Sequence, residues 1–169
     1  GSSSTTEAIA LVESALENDI KDCLAVTPYY NKPSQKGLEL HYKELSKVGA
    51  NIILYNVPGR TGVDLLPSTI EKLIDIKTVT GIKEAVDSQD RFVALSKIKE
   101  KRHDFKLYSG DDPSYVEFMK FNGDGVISVA ANIIPKEMKE LSDLCLAGNF
   151  FEAEKVIKNY KEIFKLLFI

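Results

Sequence analysis

Five short apolar runs, each followed by a segment with helical spacing, limit the possible folds of this chain more than any other feature. The runs end at proline, glycine or polar residues, and they cover residues 23–27, 51–57, 79–84, 105–109 and 125–129. Strands that are apolar on both faces and alternate with helices are typical of a parallel sheet covered by helices. We therefore predict an α/β fold with about five parallel strands.

The segments between these runs have the apolar spacing of amphipathic helices. Helices are predicted over residues 5–18, 34–48, 67–75, 88–101, 113–121, 135–147 and 149–167. No Gly-x-Gly-x-x-Gly and no Gly-x-x-x-x-Gly-Lys-Ser/Thr segment follows a strand, so the sequence predicts neither a dinucleotide-binding unit nor a P-loop.

The composition excludes several functional classes. The net charge is −3, and 44% of the residues are hydrophobic and 28% charged, which is typical of a soluble globular domain. This charge favours neither nucleic acid nor an anionic membrane as a partner, and no apolar run is long enough to span a bilayer. The first residues lack the features of a secretory signal. We expect a cytoplasmic protein and one domain over residues 1–169.

Metal and cofactor chemistry find little support. Cys23 and Cys145 lie far apart, without a Cys-x-x-Cys motif, and we interpret both as small packing residues in a reducing compartment. The pair Asp111 and Asp112 would allow a metal site, but the following Pro113 favours capping of a helix. We expect no metal and no cofactor.

Polar side chains cluster where the predicted strands end. The residues concerned are Tyr29, Tyr30, Tyr55, Lys83, Glu84, Ser109, Asp111, Asp112 and Ser128. A (β/α)8 barrel, like an open α/β sheet, places its active site at the carboxyl ends of its strands. Five strands do not close a barrel of eight, and no strand precedes the first helix. We interpret the chain as an incomplete TIM (β/α)8 barrel whose coding unit was once longer at its N-terminus.

Lys83 is the strongest candidate for chemistry because it lies in the apolar run Val-Thr-Gly-Ile-Lys-Glu-Ala. Burial lowers the pKa of a lysine, and a neutral amine is a nucleophile toward carbonyl carbons. Two structural alternatives stay open on this evidence: Lys83 reaches solvent, or it pairs with the adjacent Glu84.

Two further residues and one pair of residues each have a functional and a structural interpretation. Tyr55 is either a proton donor beside a carbonyl or a buried aromatic side chain. Arg60, in a Pro-Gly-Arg-Thr-Gly loop, is either a carboxylate-binding group or a solvated loop residue. The pair Tyr29 and Tyr30 suits an interface or a packed strand-to-helix turn.

Five motifs in order resemble the dihydrodipicolinate synthases, a family of pyruvate-dependent aldolases related to N-acetylneuraminate lyase. The motifs are Thr-Pro-Tyr-Tyr-Asn-Lys-Pro at 27–33, Leu-Tyr-Asn-Val-Pro-Gly-Arg-Thr-Gly at 54–62, Gly-Ile-Lys-Glu-Ala at 81–85, Tyr-Ser-Gly-Asp-Asp at 108–112 and Gly-Asp-Gly-Val-Ile-Ser-Val at 123–129. The resemblance covers nearly the whole chain. It implies that the strands are numbers four to eight of the barrel, followed by closing helices.

The resemblance implies condensation of pyruvate with L-aspartate semialdehyde on the lysine and diaminopimelate pathway. Lys83 would form the imine with pyruvate, Tyr55 would relay protons, and Tyr30 would reach into a partner's site in a homo-oligomer, a dimer of dimers. Arg60 would bind the carboxylate of aspartate semialdehyde. A related pyruvate-releasing aldolase and a non-catalytic assembly module are the alternative functions.

The resemblance also assigns binding positions. Gly110 and Ile127 would line the pyruvate pocket. Some members of the family bind lysine as a feedback inhibitor at a site that corresponds to Ser3, Glu7 and Tyr29. Ser3 stands where lysine-sensitive members commonly carry asparagine, which argues against feedback.

The chain also departs from the family in its length. The chain is short at both ends, and it lacks a Gly-Thr-Thr-Gly-Glu motif whose threonine completes the proton relay. We expect the 169 residues alone to be poor in catalysis.

Overall fold

The computed structural model describes all 169 residues and contains one five-stranded parallel sheet. Its strands lie in chain order: β1 (Asp22–Val26), β2 (Asn51–Asn56), β3 (Val79–Glu84), β4 (Lys106–Ser109) and β5 (Gly125–Val126). The predicted α/β fold with five parallel strands is therefore confirmed. Strands β1 and β5 each have a neighbour on one side only, so the sheet is an open portion of a barrel.

Helices connect the strands and follow the last of them. They are α1 (Thr5–Glu17), α2 (Gln35–Ser46), α3 (Pro58–Thr61), α4 (Pro67–Ile70), α5 (Gln89–Lys101), α6 (Tyr115–Lys120), α7 (Pro135–Leu146), α8 (Phe150–Lys158) and α9 (Lys161–Leu166). The side chains of Ser4 and Ser34 cap α1 and α2 by accepting from backbone N–H groups. Crossovers through helices are the usual way to join neighbouring parallel strands.

The structure differs from the predicted elements at three places. The predicted helix 67–75 ends at residue 70 and continues as turns, where the Arg102 guanidinium binds the carbonyls of Ile74 and Ile76. The predicted last helix is two helices, α8 and α9. Strand β5 stops after two residues because an Asp112 oxygen accepts from the N–H groups of Val129 and Ala130, which start a short 3-10 helix.

The register of the sheet brings the candidate catalytic residues together. Tyr55 in β2 is paired with Lys83 in β3, and Lys83 is paired with Tyr108 in β4. Paired residues of adjacent strands project to the same face, and successive residues of one strand project to opposite faces. Asn56 and Glu84 therefore project to the face opposite Tyr55 and Lys83.

Two hydrophobic cores hold the molecule together. The larger lies between the sheet and helices α1, α2, α4 and α5, and its largest members include Tyr42, Phe92 and Phe105. The smaller lies among helices α6 to α9 and includes Tyr115, Met138 and Phe164. The sheet thus has helices packed on its outer face, as the apolar runs predicted.

The two cysteines do not form a disulfide. Cys23 is half-buried beside the larger core, and Cys145 is buried in the smaller one. Both positions agree with a packing role. None of the helices has the length and apolarity needed to cross a membrane.

Candidate active site

Lys83 lies on the inner face of β3, and its side chain is only 7% exposed. Its Nζ atom lies 4.4 Å from the centre of the Tyr55 ring. On its other side, a Cβ atom added to Gly110 would lie 2.8 Å from Lys83 Cε. The amine is therefore held between an aromatic ring and a glycine that leaves room for its stem.

The surroundings of Lys83 favour the neutral amine. Burial lowers the pKa of Lys83, and the negative charge of Asp112 opposes this shift. No carboxylate forms an ion pair with Lys83, because alternation along β3 turns Glu84 to the other face of the sheet. Of the two structural alternatives for Lys83, pairing with Glu84 and escape to solvent, the structure contradicts both. A buried amine whose pKa is lowered is suited to attack a carbonyl carbon.

Tyr55 is half-buried beside this amine. Burial raises the pKa of the phenol, and the positive charge of Arg60 opposes the increase. The phenol is therefore protonated at neutral pH and can donate a hydrogen bond or a proton to an oxygen leaving a carbon next to Lys83.

Arg60 lies on α3 at the carboxyl end of β2 and is exposed. Helix α3 ends at Gly62, whose φ of 73° is in the left-handed region that favours glycine. The guanidinium carbon of Arg60 lies 5.6 Å from the centre of the Phe168 ring. A surface groove beside it is lined by Tyr29, Tyr30, Lys32, Gly59, Arg60, Thr61 and Gly62. The sequence pattern indicated a loop arginine at this edge of the sheet. The structure places Arg60 at this edge, but on the short helix α3 and not in a loop.

Gly110 directly follows β4, and Ile127 directly follows β5. The Gly110 N–H donates to the Glu84 carbonyl at 2.7 Å, and the Ile127 N–H donates to the Ser109 carbonyl at 2.9 Å. These bonds extend the parallel ladder past β3 and β4. Gly110 contacts the Lys83 stem, and Ile127 is half-buried on a neighbouring strand end.

The two aspartates after Gly110 have different roles. Asp111 accepts from the backbone N–H of Ser114, at 3.0 Å, and from its hydroxyl, at 2.6 Å. Helix α6 begins only at Tyr115 and has no side-chain cap, so the capping interpretation is wrong for Asp111, and its bonds instead fix the turn before the helix. Asp112 is wrongly predicted as a cap, because its Oδ2 atom instead binds the segment after β5. Its Oδ1 atom is buried without a hydrogen-bond partner. The structure contains no group of three His, Cys, Asp or Glu side chains arranged as metal ligands.

The proposed lysine-site residues lie near the tyrosine loop. The Ser3 carbonyl accepts from the Asn31 side chain at 2.9 Å, which joins the start of the chain to the loop of Tyr29. Glu7 accepts from the Ser2 hydroxyl at 2.6 Å. Tyr29 is 43% exposed and Tyr30 is 92% exposed, with a φ of 76° at Tyr30.

Comparisons with known proteins show which family the chain resembles over its whole length. The sequence model of the "Dihydrodipicolinate synthetase family" matches residues 1–169 of this chain. The 4-hydroxy-tetrahydrodipicolinate synthase of Buchnera aphidicola (Schizaphis graminum) is 45% identical over the whole chain, which spans 57% of that protein. The crystal structure of dihydrodipicolinate synthase from Thermotoga maritima superposes with a TM-score of 0.96 at 41% identity, with 100% of this chain and 58% of the other covered.

A third comparison concerns a ligand. The chloride-inhibited dihydrodipicolinate synthase from Acinetobacter baumannii, solved in complex with pyruvate, superposes with a TM-score of 0.92 at 39% identity. The match covers 99% of this chain and 57% of that one. The chain thus spans a little over half the length of the proteins that it resembles.

Proposed function

Because the chain belongs to the dihydrodipicolinate synthetase family, we propose that it provides the imine-forming site of an enzyme that condenses pyruvate with L-aspartate semialdehyde. The product is 4-hydroxy-tetrahydrodipicolinate, an intermediate of lysine and diaminopimelate biosynthesis in the cytoplasm. The observation that carries this proposal is the buried Lys83 amine beside Tyr55, without an ion-pair partner.

The first chemical step follows from that arrangement. The neutral Lys83 amine attacks the ketone carbon of pyruvate, a C–N bond forms, and the ketone oxygen takes up a proton. Loss of that oxygen as water breaks the C–O bond and leaves a protonated imine. Tyr55 is placed to donate the proton to the departing oxygen, because its phenol is protonated at neutral pH. Loss of a methyl proton then gives an enamine, whose carbon attacks the aldehyde.

The binding residues complete the proposal. Gly110, which contacts the Lys83 stem, and Ile127 line the pyruvate side of the site. Arg60 binds the carboxylate of aspartate semialdehyde by paired hydrogen bonds, for which a guanidinium is well shaped. The exposed groove beside it admits a substrate from solvent.

Assembly is part of the same proposal. Tyr30 is almost fully exposed in one copy, and it would reach into a second copy's site in a dimer within a homotetramer. Ser3, Glu7 and Tyr29 form the candidate lysine-binding surface, and the serine argues against feedback there.

The proposal is tested on the protein at its full natural length. Consumption of both pyruvate and aspartate semialdehyde, followed by product mass, supports it. Turnover of a sugar-acid substrate in place of aspartate semialdehyde would instead assign the protein to a related aldolase branch.

Replacement of Arg60 by alanine should raise the KM for aspartate semialdehyde by about tenfold or more, because losing a charge-assisted carboxylate contact typically costs about 1.5–3 kcal/mol. The KM for pyruvate should change little. Steady-state kinetics with each substrate varied in turn provide the measurement. The Arg60→Lys variant is a matched control that keeps the charge. Its KM for aspartate semialdehyde should lie between those of the wild-type protein and Arg60→Ala. Equal increases in both KM values would contradict the assignment.

Replacement of Asp112 by asparagine should shift the pH profile of imine formation to lower pH. The Asp112 charge raises the pKa of Lys83, so its removal lowers that pKa and makes the neutral amine available at lower pH. Asparagine keeps an oxygen acceptor for the segment after β5. The rate of borohydride-trapped adduct against pH is the measurement, with Asp124→Asn as a control remote from the amine. A profile that stays in place or moves to higher pH would contradict this electrostatic account.

A further inference from the structure

A group of four polar residues, three of them buried, lies on the outer face of the sheet, behind the two candidate catalytic strands. It consists of Asn56, Asp64, Glu84 and Arg91, called the polar cluster below. Asn56 is fully buried, Glu84 is 1% exposed and Arg91 is 9% exposed. None of these residues takes part in the chemical steps described above.

Asn56 links the strands that carry the two reactive side chains. It directly follows Tyr55, and Glu84 directly follows Lys83. The Asn56 Nδ2 group donates to the two carboxylate oxygens of Glu84, at 3.0 and 3.2 Å. The Asn56 carbonyl also accepts from the Ala85 N–H at 3.0 Å. Because these bonds are shielded from water, they hold the ends of β2 and β3 in register.

The same asparagine holds the far end of the segment that carries Arg60. Its Nδ2 group donates to Asp64 Oδ1 at 2.8 Å, and its Oδ1 atom accepts from the Leu65 N–H at 2.9 Å. Arg91 from α5 forms an ion pair with Asp64 and donates to the Leu65 carbonyl at 2.8 Å. One buried side chain is therefore bonded both to the strand of the amine and to the segment of the guanidinium.

We propose that Asn56 and Asp64 are positioning residues, which set the separation between the Lys83 amine and the Arg60 guanidinium through the polar cluster. This inference rests on the proposed function, in which those two groups hold the two substrates. Bond formation between two bound substrates depends on their relative placement, and a misplacement of about 1 Å can lower a rate by about 10²-fold.

The chemistry of the cluster supports a geometric role. Burial raises the pKa of Glu84 to about 7, against the opposing charge of Arg91. A buried polar group of this kind is an inefficient source of stability, since apolar residues of similar volume often stabilise as well or better. Its directional hydrogen bonds, in contrast, fix distances that apolar packing leaves adjustable.

Two variants in the full-length protein test the proposal. The side chain of Asp64 is 36% exposed, so Asp64→Asn should fold; it keeps the acceptor for Asn56 and loses the ion pair with Arg91. It should raise the KM for aspartate semialdehyde about tenfold relative to the KM for pyruvate, with an unchanged rate of imine trapping by pyruvate alone. Asn56→Ala removes the hydrogen bonds to Asp64 and to Glu84. Because Glu84 follows Lys83 on β3, this variant should also slow imine trapping.

Asp124→Asn is the matched control. Like Asp64, Asp124 pairs with a basic side chain, that of Lys99, and it also accepts from the Leu107 N–H at 2.8 Å, but it precedes β5 at the opposite end of the sheet. This variant should leave the ratio of the two KM values unchanged. Amide hydrogen exchange over residues 57–66 gives a readout independent of activity. Exchange should become faster in both cluster variants and stay at the wild-type rate in the control.

The possible results distinguish failure of the positioning role from failure of the proposed function. A KM ratio that stays at the wild-type value in both cluster variants, or that shifts equally in Asp124→Asn, overturns the positioning role. Unchanged hydrogen exchange over residues 57–66 overturns it as well, whatever the activity. A wild-type protein that forms no imine with pyruvate contradicts the proposed function, and the exchange result then decides the coupling of the cluster to the segment by itself.

Discussion

Replacement of Lys83 by alanine should abolish both turnover and the borohydride-trapped adduct with pyruvate. The loss in kcat should be about 10⁴-fold or more, the order found when a covalent nucleophile is removed. The amine makes no ion pair in the structure, so its removal leaves no carboxylate without an ion-pair partner. The variant should therefore stay folded, as measured by circular dichroism and thermal unfolding.

Two comparison variants make this result specific. Lys83→Met keeps the length and much of the volume of the side chain and should be as inactive as the alanine variant. Lys106→Ala removes an exposed lysine of the neighbouring strand and should keep the adduct. An adduct of normal yield in Lys83→Ala would assign the imine to another amine.

Substitution of Gly110 by alanine should lower kcat by about 10²-fold, the order expected when a reacting group is displaced by about 1 Å. The new Cβ atom would lie 2.8 Å from Cε and 3.0 Å from Cγ of Lys83, and 3.1 Å from Cβ of Ala85. Real Cβ atoms essentially never approach another atom to 2.8 Å, so the Lys83 side chain must move away from its place beside Tyr55. Single-turnover measurement of imine formation checks this prediction.

Gly59→Ala is the control for Gly110→Ala. A Cβ atom at Gly59 has no neighbour within 4 Å, although the residue lies on the same edge of the sheet. The rate of imine formation should therefore stay near the wild-type value. A wild-type rate in Gly110→Ala would mean that Lys83 reacts from a different position than the one seen here.

The sequence was most informative where one residue type can satisfy only one local requirement. Apolar runs bounded by Pro28 and Pro58 predicted β1 and β2 within one residue of their observed ends. A lysine in an apolar run predicted the position of the amine, because burial of such a side chain needs a reason. The order of the motifs predicted the family.

Contacts between side chains that are distant in the sequence were harder to predict from the sequence. Glu84 looked like a possible partner of Lys83 because the two are adjacent, but alternation along a strand separates them. A count of positions from Tyr55 and Lys83 would have placed Asn56 and Glu84 together on the other face. The contribution of Asp64 depends on the path of the loop after α3, and no local pattern specifies that path.

The short strand β5 shows a second kind of limit. Residues 125–129 have strand-like composition, and only two of them pair with β4. The Asp112 carboxylate competes for the N–H groups that follow, and this competition arises only after β4 and β5 have come together. Tertiary hydrogen bonds of this kind override local preference for a strand.

Peptide mapping of the reduced pyruvate adduct decides whether Lys83 is the residue that forms the imine. The full-length protein is incubated with pyruvate, reduced with borohydride, digested and sequenced by tandem mass spectrometry. We expect one adduct, on Lys83 within the Gly-Ile-Lys-Glu-Ala segment, whose yield falls when a competing keto acid is added. Reduction without any adduct at Lys83, or with the adduct at a different lysine, would show that Lys83 does not form the imine.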